Sequence, residues 1–304
     1  SDMYIPIYPA GTNSIIFTTP ALEPLYNISN ENITASVGQS VSVTATSSSS
    51  AGTLRLFFNG NLITGPLTST NTISGSAQVT TAGTQQFIAE MNLNGTFFRD
   101  TVQFYVPLAN IVAALPAGVE EGINYWPGCD SVTLVLYAPG KQYVVVLGDF
   151  EPNNWLPQSK YQMNKTPDNL YYWLTIKNLT PGVEYSYQYL VDNSIYIADP
   201  YSELVLDPWN DPFIPTATYP NLKPYPSDPN VSSGKNAYVT VFKTCAPQYN
   251  WKVTNFQKPD KRNLVIYELL VRDFGDARNY QMIIDSMDYL KRLGVNAIQF
   301  MPVN

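Results

Sequence analysis

Three charged side chains interrupt an apolar stretch near the end of the sequence, VIYELLVRDF at positions 265–274. Side chains alternate between the two faces of a strand, so Glu268 and Arg272 share one face, and Asp273 follows at the carboxyl end. Because an unpaired buried charge is costly, these two side chains would need to pair with each other or with partners on neighbouring strands. Active sites of parallel barrels form at the carboxyl ends of the strands. We therefore predict that Arg272 and Asp273 mark the end of the first strand of a catalytic barrel; solvated charges at an ordinary strand end are the alternative.

The segments that follow predict a strand–helix–strand unit. Residues 279–294 carry apolar side chains at helical spacing, Asn279 can cap the start of the helix and Gly294 can end it. Residues 295–303 form a second apolar strand pattern. This order implies a right-handed crossover between two parallel strands.

The sequence contains no histidine and two cysteines, Cys129 and Cys245. The absence of histidine excludes Ser-His-Asp triads, Cys-His dyads and most transition-metal sites. The cysteine spacing does not suit zinc, so no metal site and no cofactor is predicted. The two cysteines are either unrelated buried thiols or one long-loop disulfide, which an oxidising compartment would permit.

Composition narrows the class of protein further. Only 13% of the 304 residues are charged, against a usual share of about 25%. The net charge of -7 argues against nucleic acid as a partner, because phosphate binding requires clustered Lys and Arg. No apolar run is long enough for a transmembrane segment. This composition, with its low share of charged residues, favours a secreted, periplasmic or cell-surface protein.

The remaining sequence predicts two β-sandwich domains. Residues 1–107 contain short strand patterns with Asn-Gly turns at 59–60 and 94–95, typical of an immunoglobulin-like sandwich. Residues 108–121 are interpreted as a linker. Residues 122–258 again read as strands, although the proline-rich stretch 198–220 is expected to be a loop.

The predicted fold class is therefore mainly β. Two β-sandwich domains, the first immunoglobulin-like, precede residues 259–304, the first βαβ piece of a truncated TIM barrel. In such a piece the sheet edges and one helix face are uncovered, so we expect possible self-association through it.

Several motifs in this order resemble the α-amylase family of glycoside hydrolases, most closely its pullulanase, isoamylase and branching-enzyme types. The barrel-like motifs are VIYELLVRDF and LGVNAIQFMPVN; the motifs that resemble the family's early-set module are GDFEPNNW, YSYQYLVD and ADPYS. The resemblance covers about residues 125–304, and the first hundred or so residues match only a generic sandwich.

The resemblance implies a retaining enzyme that acts on α-glucans such as starch, glycogen or pullulan. Its Asp nucleophile and Glu acid/base would lie on later barrel strands, so no catalytic residue is assigned in this chain. The chain is expected to be the non-catalytic, inactive amino-terminal region of the enzyme, and structural calcium is possible in the missing part. The alternative is a non-catalytic carbohydrate-binding or cell-surface interaction protein.

The resemblance also implies a glucan-binding surface on the early-set domain. Related modules stack sugars on exposed aromatic rings, and Trp155 matches one such position. Tyr196 or Ile195 stands where the family has a second aromatic residue, and Gln188 stands where it often has a lysine. We therefore expect Trp155, Tyr196 and Gln188 to contact an α-glucan, with packing of a loop as the alternative role for Trp155.

Overall fold

The computed structural model describes five stretches of the chain, residues 12–19, 33–150, 155–227, 238–247 and 250–301. Contacts divide the chain into two compact units, one of residues 1–207 and 225–245 and the other of residues 208–224 and 246–304. Strands outnumber helices and no closed barrel forms among the described residues, so the prediction of a mainly β chain is confirmed.

The first unit opens with two antiparallel sheets that share one hydrophobic core. Their strands are β1 (Ile15–Thr19), β2 (Ser40–Ser47), β3 (Thr53–Phe58), β4 (Asn61–Leu67), β5 (Thr72–Gln78), β6 (Gly83–Leu93) and β7 (Thr96–Val106). One sheet has the order β1-β2-β5 and the other the order β4-β3-β6-β7. Alternating side chains of both sheets, among them Leu54, Leu56 and Phe87, are fully buried in this core.

Two hairpins lie where the Asn-Gly pairs predicted them. Asn59 and Gly60 join β3 to β4, and Asn94 and Gly95 join β6 to β7. All four residues have positive φ, of 46°, 80°, 52° and 89°. Asparagine and glycine tolerate this conformation, and the turns match the twist of the flanking strands.

A second pair of antiparallel sheets follows in the same unit. Its strands are β8 (Gly122–Tyr125), β9 (Val132–Tyr137), β10 (Val144–Gly148), β11 (Asn164–Lys165), β12 (Tyr171–Ile176), β13 (Glu184–Val191), β14 (Ile195–Ile197), β15 (Leu204–Leu206) and β16 (Val239–Lys243). One sheet has the order β11-β12-β9-β8. The other has the order β10-β13-β16-β15, with β14 also paired to β13.

Strand β15 corrects the expectation that residues 198–220 form only a loop. Leu204 to Leu206 pair in antiparallel register with Val241 to Val239 of β16. Proline lacks a backbone donor, but Pro200 and Pro208 flank this short strand and none lies inside it, so its donors remain available for the sheet.

A disulfide decides between the two alternatives for the cysteines. Cys129, in the loop between β8 and β9, is bonded to Cys245, which follows β16. The Cα atoms are 5.3 Å apart across a sequence separation of 116. The bond therefore links the two sheets of the second pair.

The segment predicted as a linker is attached to the second pair of sheets. The Ala113 N–H donates to the Lys165 carbonyl, and the Lys165 N–H donates to the Ile111 carbonyl. Gln162 contacts the end of the first pair: its Oε1 accepts from the Tyr105 hydroxyl and the Leu108 N–H, both at 2.9 Å. The predicted domain boundaries stay predictions.

The second compact unit contains the expected strand–helix–strand order. Its elements are β17 (Ile266–Leu269), α1 (Tyr280–Asp285), α2 (Met287–Arg292) and β18 (Ala297–Phe300). The two strands are parallel, as predicted, with Ile266 opposite Ala297 and Leu269 opposite Phe300.

Short 3-10 turns occur at Ser159–Tyr161, Asp211–Phe213 and Lys261–Asn263.

The single helix expected over 279–294 is divided at Ser286. The Asn279 side chain accepts from the Met282 N–H at 3.0 Å, so the predicted cap is present. The Ser286 hydroxyl donates to the Met282 carbonyl at 2.9 Å, a side-chain bond that competes with the helical ladder and bends helices. Gly294, with φ of 82°, ends the second helix as expected.

Burial alternates along β17. Leu269 is buried, as are Ile283 and Leu290 of the helices, while Ile266 is 57% exposed. Among the described residues, none of the helices combines the length and the apolar character needed to span a membrane.

Candidate functional site

Two of the three residues expected to bind glucan are buried. Trp155, in a turn between β10 and β11, is 4% exposed, and residues 151–154 of its motif lie outside the described residues. Gln188 is fully buried in the middle of β13, and its Nε2 donates to the Tyr238 carbonyl at 2.8 Å. As placed, neither side chain offers a sugar an open surface, and their binding role stays a prediction.

Tyr196 is the third expected residue and is partly buried on β14. It lies opposite Leu190 of β13, two residues from Gln188, so Gln188 and Tyr196 share one face of the sheet. The structure therefore brings these two residues together, whereas Trp155 lies outside this sheet. The glucan-binding role of Tyr196 also stays a prediction.

Arg272 and Asp273 follow β17 and form an exposed ion pair. Arg272 Nε donates to Asp273 Oδ1 at 2.8 Å, and Nη2 donates to Oδ2 at 3.2 Å. Hydrogen bonding within the pair raises the pKa of Arg272 and lowers that of Asp273. Of the two arrangements considered, pairing with Glu268 or with partners on neighbouring strands, Arg272 adopts neither and instead pairs with Asp273, which is adjacent in sequence, while Glu268 is exposed. A role for Arg272 and Asp273 at a barrel-strand end stays a prediction.

A buried cluster of hydroxyl groups surrounds Asp199, the acidic residue of the ADPYS motif. The hydroxyls of Tyr187 and Tyr189 both donate to Asp199 Oδ2 at 2.7 Å. The Tyr201 N–H donates to Oδ1 at 2.7 Å, and the Asp199 N–H donates to Thr240 Oγ1 at 2.7 Å. We call Asp199, Tyr187 and Tyr189 the buried cluster.

The local sequence explains why the buried cluster forms. Alternation along β13 places Tyr187 and Tyr189 on one face, and the segment after β14 returns Asp199 to that face. Burial raises the pKa of both phenols well above 10.0, and the neighbouring Asp199 charge raises it further. Both hydroxyls therefore remain protonated donors, and the motif is accounted for by structure alone.

A second cluster of tyrosines lies on the exposed outer face of the other sheet. The hydroxyls of Tyr171 and Tyr201 donate to the two oxygens of Glu121, at 3.2 Å to Oε1 and 2.6 Å to Oε2. The Tyr137 ring lies beside Tyr171, with centroids 5.3 Å apart and planes inclined by 56°. We call Tyr137, Tyr171, Tyr201 and Glu121 the tyrosine platform.

Strand register and one glycine position the tyrosine platform. Tyr171 of β12 lies directly opposite Tyr137 of β9, so both rings project from the same face. Gly122 of β8 lets Tyr201 lie close above the sheet, since a Cβ at Gly122 would be 2.5 Å from Tyr201 Cβ. Tyr137 and Tyr201 are 51% and 55% exposed.

Glu121 also raises the pKa of two phenols of the tyrosine platform. The hydrogen bond to Glu121 is the main cause of the raised pKa of Tyr201, and for Tyr171 it adds to the effect of desolvation. Nearby, the Tyr125 hydroxyl contacts Glu203 Oε2 at 3.4 Å. The surface therefore combines aromatic rings with the carboxylates of Glu121 and Glu203.

Sequence reasoning missed this surface. Alternation along YYWLTIK places Tyr171 and Trp173 on one face, and Trp173 is partly exposed there, with its Nε1 donating to the Ala113 carbonyl at 3.0 Å. That alternation is the sequence feature that could have indicated this surface. The pairing of Tyr171 with Tyr137 and the return of Tyr201 depend on long-range contacts.

The described residues offer no group of three or more Cys, Asp or Glu side chains placed to hold a metal ion. The carboxylates of Asp199 and Glu121 each accept hydrogen bonds from two tyrosine hydroxyls.

Comparison with known proteins relates the chain to one enzyme family. No protein-family model matches it. Over 174 residues it is 26% identical to the malto-oligosyltrehalose trehalohydrolase of Saccharolobus solfataricus, a match that covers 57% of this chain and 24% of that enzyme. The chain is related to the α-amylase family of glycoside hydrolases. The resemblance found in the sequence motifs is therefore confirmed, and the match spans about a quarter of the relative's length.

Solved structures of α-amylase-family enzymes also align with the chain, at low similarity. The Group B Streptococcus pullulanase SAP is 18% identical with a TM-score of 0.39, covering 88% of this chain and 35% of that one. The catalytic module of the pneumococcal glycogen-degrading factor SpuA is 22% identical with a TM-score of 0.41, covering 61% and 27%. The Bacillus acidopullulyticus pullulanase is 15% identical with a TM-score of 0.39, covering 96% and 40%. These TM-scores are too low to support a conclusion about this chain.

Proposed function

We propose that this chain is a non-catalytic region of a glycoside hydrolase that acts on α-glucans, lying amino-terminal to most of a retaining catalytic barrel. The observation that carries the proposal is the 174-residue match to malto-oligosyltrehalose trehalohydrolase, an enzyme named for an α-glucan derivative. Because the match covers 24% of that enzyme, the activity of the whole protein is part of the proposal.

The second compact unit supports this proposal. Its parallel strands and connecting helices have the order of the first repeat of a βα-barrel. Ile266 and Phe300 are 57% and 41% exposed, and further barrel strands would cover such side chains. Self-association through this surface remains the alternative way of covering it.

The disulfide supports an extracellular, periplasmic or cell-surface location. Bonds such as Cys129–Cys245 form and persist in oxidising compartments and are rare in the cytosol. We extend the proposal to such a location. A glucan polymer outside the cell would be accessible to an enzyme placed there.

Two assays on the 304-residue protein test the proposal. In the first, the protein is incubated with glycogen, amylose and pullulan, and the release of reducing ends is measured. We expect none above the buffer control, because the family's nucleophile and acid/base would lie on later barrel strands and no catalytic residue is assigned in this chain. Release of reducing ends in proportion to protein concentration would contradict the non-catalytic assignment.

The second assay is native affinity electrophoresis through gels that contain glycogen or pullulan. Gels with a soluble β-glucan and gels without polysaccharide are the controls. We expect retardation by the α-glucans alone. Equal mobility in all gels would contradict an α-glucan-directed role for this region.

A further inference from the structure

We propose that the tyrosine platform is a binding site for an α-glucan chain, distinct from the positions of Trp155, Tyr196 and Gln188. The assignment of α-glucan as the sugar depends on the proposed function. The site itself is inferred from the exposure, hydrogen bonding and charge of Tyr137, Tyr171, Tyr201 and Glu121.

The exposed rings provide the apolar part of the site. Sugar rings have C–H faces that pack on aromatic rings, which combine large area with few rotatable bonds. Tyr137 and Tyr201 are each more than half exposed, and Tyr137 is adjacent to Tyr171. The 56° inclination between the Tyr137 and Tyr171 rings suits a chain that curves, as α-linked glucans do, better than a flat one.

The hydrogen-bonding capacity of the platform selects a ligand that donates. An ionised carboxylate has about four lone-pair sites, and the two tyrosine hydroxyls use only one on each oxygen of Glu121. The hydroxyls of Tyr171 and Tyr201 donate their protons in hydrogen bonds to Glu121, so each phenol oxygen can still accept a hydrogen bond from a ligand. The cluster therefore presents acceptors to solvent, which match the hydroxyl groups of a sugar.

The charge of the surface excludes anionic ligands. Glu121 and the nearby Glu203 are both carboxylates, and the chain carries a net charge of -7. A phosphate or carboxylate group would be repelled at this surface. A neutral, hydroxyl-rich molecule satisfies both the acceptors and the aromatic rings.

The platform is also held in place before any ligand binds. Glu121 connects Tyr171 of β12 to Tyr201, and Tyr201 packs closely over Gly122. Fixing side chains in the free protein lowers the entropy lost on binding. This distinguishes the platform from isolated exposed aromatics elsewhere on the chain.

The test is native affinity electrophoresis in glycogen gels of increasing concentration, with wild type, Tyr137→Ala and Tyr171→Phe. Loss of the Tyr137 ring is expected to weaken the apparent affinity about tenfold. Tyr171→Phe keeps a ring but removes one hydrogen bond to Glu121, so a loss of a few-fold is expected. Binding of a neutral sugar should change little with salt concentration.

Phe97→Ala is the matched control, because Phe97 is also 51% exposed but lies on β7 of the first pair of sheets. It should be retarded like wild type, and thermal unfolding of each variant checks that the fold is intact. If both platform variants were folded and were retarded by glycogen as strongly as wild type, the platform would be overturned and the proposed function would stand. The same holds if Phe97→Ala lost as much glycogen affinity as the platform variants. A wild type that glycogen does not retard would contradict the glucan-directed role and the platform together.

Discussion

The second pair of sheets contains two clusters built from the same groups, two tyrosine hydroxyls that donate to one carboxylate. In the buried cluster, Tyr187 and Tyr189 donate to one oxygen of Asp199, and all three side chains are almost completely shielded from water. In the tyrosine platform, Tyr171 and Tyr201 donate to the two oxygens of Glu121 at the surface. The same chemistry therefore stabilises the fold in one place and is available for recognition in the other.

Burial is the physical reason for this difference. A buried hydroxyl that loses its acceptor cannot turn to water, so the acceptor becomes essential to stability. An exposed hydroxyl can replace its acceptor with water at little cost. The comparison predicts that equivalent substitutions in the two clusters will affect different properties.

The largest effect on stability is expected from Asp199→Ala. It leaves the Tyr187 and Tyr189 hydroxyls buried without their acceptor, which costs about 3 kcal/mol of the free energy of unfolding. Urea unfolding followed by far-UV circular dichroism measures this loss, and Asp199→Asn, which keeps one acceptor oxygen, should lose less. An Asp199→Ala midpoint equal to that of wild type would show that the buried cluster is not structural.

An intermediate effect is expected at high pH. The pKa values of Tyr187 and Tyr189 are raised in the folded state above the unfolded value of 10.0. Folding therefore keeps these phenols protonated, and their contribution to stability is complete below pH 10.0 and is lost as the pH rises through the folded pKa. The urea midpoint should be level below pH 10.0 and should fall above it.

Ultraviolet titration sharpens the same prediction. The phenols of Tyr171 and Tyr201 lie at the surface and should ionise while the protein remains folded, whereas those of the buried cluster should ionise only with unfolding. If Tyr187 and Tyr189 ionised together with the surface tyrosines while the protein remained folded, the difference in burial would be contradicted. The variant Tyr189→Phe identifies the absorbance change that belongs to the buried cluster.

The smallest effect on stability is expected from Glu121→Ala. The Tyr171 and Tyr201 hydroxyls that it releases can bind water, so the urea midpoint should stay within error of wild type. The change should instead appear in glycogen affinity, because both rings lose the carboxylate that holds them. A destabilisation as large as that of Asp199→Ala would mean that the platform is a second structural cluster.

Local sequence was sufficient to predict features that depend on neighbouring residues. The Asn94-Gly95 turn, the Asn279 cap and the parallel pairing of β17 with β18 were all predicted correctly. Each follows from backbone preferences or from the connection length between two strands. The division of the helix at Ser286 and the strand Leu204–Leu206 were missed, because both depend on side-chain or sheet contacts that composition does not report.

By itself, the sequence determined that the chain is mainly β, that it turns to a βαβ pattern near residue 263, and that its motifs resemble those of α-amylase-family enzymes. Only the tertiary structure decided that Cys129 bonds to Cys245, that Trp155 is buried, and that Tyr171 and Tyr201 meet at Glu121. The reason is physical: alternation assigns residues to the two faces of a strand, but strand register and packing decide which face is covered and which residues from distant positions meet there.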